Sequence, residues 1–198
     1  QIIKQLFDLA SGAQDNIRQN SFFVIGSIIL NFPDKIPLLF YYDIISLLSV
    51  SLSDPNEFYV SSIYFVINCL ILKSSEFKQF FYKYFQFDFL VRKAYGFINS
   101  PNNDKIVECF SSITQYVGIN NEIDASELFQ LFTLALAKKF SQVSDRIEMN
   151  SCHFALVGII NFLNCQDIAN IYKKSVVEDS NITIFLQFFF EITELKPE

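Results

Sequence analysis

The chain has 198 residues, 51% of them hydrophobic and 18% charged, which is enough length for one packed domain and too apolar for a disordered tail or a low-complexity linker. Fifteen Lys and Arg stand against 21 Asp and Glu, a net charge of -6. Residues 100 to 198 carry the excess, with 13 acidic and seven basic groups, whereas residues 1 to 99 have eight of each.

In chain order, apolar residues at three-and-four spacing predict helices over about 2–11, 13–31, 35–53 with a break near Tyr41, 55–73, and 75–99 with a break near Phe87. Further helices are predicted over about 102–119, 124–141, 145–164, 167–176 and 181–194. Tyr59, Ile63, Val66, Ile67, Leu70 and Ile71 lie on one helix face, and Ile106, Phe110, Ile113 and Val117 do the same later. The run Phe185-Leu186-Gln187-Phe188-Phe189-Phe190 has strand composition. Strict alternation is rare along the chain, however, so the expectation is all-α.

Mean hydropathy is positive, at +0.28, yet no segment offers the roughly 20 apolar residues in a row that a membrane span needs. The charge-free stretch from Phe58 to Leu72 contains Ser61, Ser62 and Asn68. Cationic doublets are confined to Arg92-Lys93, Lys138-Lys139 and Lys173-Lys174, too scattered to hold a polyphosphate, so nucleic acid is not expected as a partner. The chain opens on Gln1 rather than Met, and the expectation is a piece excised from a longer protein.

Cys69, Cys109, Cys152 and Cys165 are spaced by 40, 43 and 13 positions, without the paired spacing of a zinc site or a redox dithiol. Buried free thiols in a reducing intracellular compartment, cytoplasmic or nuclear, are expected. The sole histidine, His153, follows Cys152 directly, and sequence neighbours point about 100° apart on a helix, so the two make a poor nucleophile-base pair. Glu122, Asp124 and Glu127 fit a helix start. The five glycines are isolated. No enzymatic activity, cofactor or metal is expected.

The chain also repeats itself. Ser21-Phe22-Phe23-Val24-Ile25-Gly26-Ser27 matches His153-Phe154-Ala155-Leu156-Val157-Gly158-Ile159, and two intermediate copies begin at Ser62 and Cys109. The offsets are 41, 47 and 44, a mean period of 44. Helix-start signals keep the same beat at Asp54-Pro55-Asn56-Glu57, Ser100-Pro101-Asn102 and Asp145-Arg146-Ile147-Glu148.

This pattern resembles the armadillo and HEAT class of helical repeats, whose units run about 40–47 residues. Asn56 to Gly118 is the closest passage, with Tyr64 and Asn68 where the armadillo family often carries a Trp and an Asn on its inner helix. Phe23/Ser27, Ser111/Gln115 and Ala155/Ile159 stand at the equivalent positions. The resemblance implies a right-handed α-solenoid of about four units: roughly 1–31 (partial), 32–73, 74–119, 120–164 and 165–198 (partial), forming one domain.

It further implies a non-enzymatic scaffold or adaptor for a protein or peptide, with a basic partner suited to the acidic second half. Candidate contacts are Tyr64, Asn68, Gln115 and Tyr116 on the inner helices, and Phe185, Phe188 and Phe189 on the last helix. Two alternatives stay open: self-association through end helices that no neighbour covers, and peptide binding of the nuclear-import-adaptor kind.

Overall fold

The computed structural model describes residues 2–12, 14–54, 59–97, 104–119, 127–132, 134–135, 155 and 157–158. Among the described residues all regular structure is helical and no strand occurs. The order is α1 (Ile2–Ala10), α2 (Asp15–Asn31), a 3-10 turn (Pro33–Lys35), α3 (Ile36–Tyr41), α4 (Ile44–Ser53), α5 (Val60–Lys73), α6 (Ser75–Tyr84), α7 (Phe87–Phe97) and α8 (Asp104–Ser112). A π-helical turn, Ile113–Val117, continues α8. Residues 127–132 and 134–135 are also helical.

Both expected breaks are present, each with a local cause. Tyr42 and Asp43 separate α3 from α4, with Asp43 in the left-handed region at φ 62° and its side chain accepting from the Ser46 amide at 3.2 Å. That bond satisfies an orphan donor at the start of α4. Between α6 and α7 the backbone extends at Phe85. At the start of α6, Ser74 accepts from the Phe77 amide at 3.1 Å.

The start expected at Asp54-Pro55-Asn56-Glu57 lies mostly outside the described residues. Asp54 closes α4, on extended backbone with its amide donating to the Ser51 carbonyl, and the described part of the next helix, α5, starts at Val60 after Tyr59. Its carboxylate takes Arg18 Nη1 at 3.0 Å, which joins α2 to the end of α4. The starts at Ser100 and Asp145 fall outside the described residues.

α5 is the central element. Apart from Phe65, Leu72 and Lys73, all its residues are buried, Ser61, Ser62 and Asn68 included, as expected of a helix apolar all round. It packs against both α2 and α8, with no comparable contact between α2 and α8, and it also touches α4 and α6. The first three motif copies therefore lie on α2, α5 and α8. Their leading residues, Ser21 and Phe22, Ser62 and Ile63, and Cys109 and Phe110, are buried in each.

Gly26 explains the closeness of α2 to α5: a Cβ there would overlap the Phe65 ring, and Cys69 Sγ lies 3.4 Å from the same point. Gly158, the matching residue of the fourth copy, meets the Phe132 ring in the same way. No single helix among the described residues is long and apolar enough to cross a membrane.

Candidate interaction surface

The pair expected to face a partner is interior. Tyr64 is wholly buried, its ring 5.6 Å from that of Phe110 and its hydroxyl donating to the Leu90 carbonyl at 2.6 Å. Burial first, and then the nearby Cys109 thiol, push its phenol well above the ordinary value. Asn68, one turn on, is 2% exposed, and its Oδ1 has no hydrogen-bond partner. Spacing of four puts both on the same face of α5, and the neighbours of α5 cover that face. Tyr64 and Asn68 are thus corrected from surface contacts to core groups.

Gln115 and Tyr116 are exposed, Tyr116 to 47%. They sit in the π turn, which ends at Gly118 with φ 86°. The Gly118 carbonyl accepts from the Tyr82 hydroxyl at 2.8 Å, and Lys78 Nζ lies 5.8 Å from the centre of the Tyr116 ring. The wider π turn re-aims side chains that an α-helix would place elsewhere. Gln115 and Tyr116 are therefore separated from Tyr64 and Asn68 by exposure as well as by helix. Phe185, Phe188, Phe189, His153, Cys152 and Cys165 lie outside the described residues.

A second surface was only half legible in the sequence. Asn20, Phe23, Val24, Ser27, Ile28, Asn31 and Phe32 line an open groove of about 410 Å³ along α2. All but Phe32, which follows the end of α2, form one helical stripe without a charge, opposite Phe22, Ile25 and Ile29, which are buried. Val24 and Phe32 are 44% and 57% exposed. Phe23 and Ser27 already stood at the ladder positions of the first copy. The missed signal was the run from Gln19 to Phe32, which has no charged residue on either face.

At the other end of α2 a polar cluster joins three helices. Arg18 pairs with Asp54, and its guanidinium carbon lies 4.0 Å above the Tyr59 ring, which stacks on Phe22 at 6.3 Å. Lys93 of α7 donates to the Asp54 carbonyl at 2.7 Å. Burial, then the Asp54 carboxylate, hold the Tyr59 phenol far above its usual value. Cation and ring are mostly shielded from water, where such a contact is worth about 1–2 kcal/mol. The cluster fastens α2 and α7 to the α4–α5 corner.

The two described cysteines are core thiols. Cys69 on α5 is pushed up to about 12, chiefly by burial and then by Glu108, and Cys109 on α8 is held well above its ordinary value by burial, then by Glu108 and Cys69. Neither thiol ionises near neutral pH, so neither serves as a nucleophile there. Among the described residues no group of three or more His, Cys, Asp and Glu is placed to hold a metal ion. Compared with protein-family models, with curated proteins and with solved structures, the chain matches none.

Proposed function

We propose that the chain is a non-enzymatic protein-interaction scaffold, an α-solenoid of armadillo-like units that binds a protein or peptide along the exposed stripe of α2. One observation carries this reading. The helices bearing successive motif copies pack in sequence order, α2 on α5 and α5 on α8, so each hides its apolar face only against its neighbours. The outer face of α2 then remains as an uncharged groove. A reducing intracellular location belongs to the same reading, supported by the free thiols of Cys69 and Cys109.

The test compares the chain with a Val24→Asp/Ile28→Asp variant as bait in native extract, with mass spectrometry of what each retains. Partners held by the unaltered chain and lost by an equally folded variant support the α2 surface; identical capture by both overturns it.

Self-association has its own observation. Taken in opposite directions, the α2 stripe sets Asn20 against Asn31, Phe23 against Ile28 and Val24 against Ser27, which is the pairing that a twofold interface demands. It also lacks any charge that would repel its own copy. Light scattering decides: a dimer that Val24→Asp/Ile28→Asp dissolves favours this reading, and a monomer at high concentration excludes it.

A further inference from the structure

We infer that the groove between α1 and α4 receives one arginine side chain from an extended apolar peptide. This deepens the interaction reading above, on which it rests, by naming a partner chemistry and a second place of contact.

The walls are Phe7 from α1, Tyr42 from the α3–α4 break, and Leu47 and Val50 from α4, with Asp43 and Ser46 at the polar rim. Phe7 and Tyr42 touch ring to ring at 6.0 Å. The groove is shallow and open, with about 290 Å³ of space, just below the roughly 300–1,000 Å³ typical of small-molecule pockets. One long side chain with its flanking backbone fits that space better than a cofactor does. Val50 is 71% exposed at the edge, an apolar shoulder for the residue next to it.

Charge identifies the occupant. Asp43 is exposed, and its Oδ1 accepts from the Ser46 amide. No Lys or Arg among the described residues pairs with it; Arg18, Lys35, Arg92 and Lys105 are engaged with Asp54, Asp34, Asp88, and Asp104 with Glu108. α3 and α4 carry no charged residue at all, and α1 brings Lys4 and Asp8, which cancel. The rim thus presents one carboxylate with no cation of its own above an aromatic and aliphatic floor.

An arginine satisfies each part. Its stem covers Phe7 and Leu47, its planar fork meets the carboxylate, and its flat cation lies against the Tyr42 ring. Lysine, a compact and strongly hydrated ammonium, matches the charge but not the ring face.

The experiment uses the full ¹⁵N-labelled chain and three blocked tripeptides: acetyl-Leu-Arg-Leu-amide, its lysine counterpart, and its citrulline counterpart, which has arginine's shape without the charge. Each is titrated against the unaltered chain and against Asp43→Asn. Asn keeps an oxygen for the Ser46 amide and tolerates the left-handed backbone, so the variant folds.

Saturable amide shifts centred on Tyr42, Ser46 and Leu47 are expected with the arginine peptide. They weaken about tenfold with citrulline or with Asp43→Asn, and less with lysine. Equal shifts from the citrulline peptide, shifts centred elsewhere, or no shifts overturn the inference. Partner capture that still depends on Val24 and Ile28 would leave the interaction reading standing in that event; arginine binding without such capture would separate the two the other way.

Discussion

The Tyr64 hydroxyl donates to the Leu90 carbonyl oxygen at 2.6 Å, bridging α5 to α7 inside the core. A phenol held in this way contributes through its oxygen as well as its ring. Tyr64→Phe keeps the packing and leaves the Leu90 carbonyl without this donor, a loss of about 1–2 kcal/mol. Urea unfolding should show a lower midpoint at unchanged slope, with partner capture unaltered. A drop in capture at full stability would return Tyr64 to the binding surface.

Gly26 and Phe65 form a second coupled pair. Any Cβ at residue 26 overlaps the Phe65 ring, so Gly26→Ala should cost about 1–3 kcal/mol through overpacking. In a Phe65→Leu background the same change should cost at least about 1 kcal/mol less, since contacting residues are not additive. Thermal unfolding of the four proteins in this cycle measures the coupling, and strict additivity would remove the proposed cause.

Asn68 gives the opposite sign. Its Oδ1 is buried without a partner, and an apolar residue of similar shape removes that unsatisfied group. Asn68→Leu should therefore leave stability within about 1 kcal/mol of the unaltered chain, or raise it. A loss of 3 kcal/mol or more (~3–5 is the cost of breaking a buried charged pair) would mean that the amide is held by a bond that the structure does not show.

Much of this was legible in the sequence. Helix type, both breaks and the burial of the first three motif copies follow from apolar spacing; the Asp43 cap that makes the first break was not read there. The direction in which α5 faces did not follow, because a tyrosine and an asparagine four apart look the same whether they meet solvent or a distant carbonyl. Leu90 lies 26 positions away, beyond the reach of any periodic pattern. The exposure of Gln115 and Tyr116 depends on a π turn, for which a lone glycine at 118 is the sole local hint. The pairing of Asp54 with Arg18, 36 positions away, was likewise beyond any local pattern.

Alkaline pH should unfold the protein early. Both described thiols have folded values above the ordinary 9.0, Cys69 at about 12. The unfolded chain then loses these protons first, so it binds fewer than the native state once the pH exceeds about 9. Stability is at its full value below that point and falls as pH rises from about 9 to 12. Tyr64 and Tyr59, both raised from 10.0, act in the same direction at the upper end. Unfolding midpoints between pH 7 and 11 should decline, and Cys69→Ala/Cys109→Ala should flatten the onset. A midpoint that rises across this range would contradict the burial of these groups.

The claim beneath the whole account is serial packing, with α5 between α2 and α8 rather than all three in a closed bundle. Dipolar electron spin resonance between labels at Asn31 and Leu72, and between Asn31 and Ile119, tests it in a background with the native cysteines replaced. Neighbouring helices pack about 8–10 Å apart, so the account predicts a second separation about twice the first. Two equal separations would place α2 and α8 side by side and contradict it.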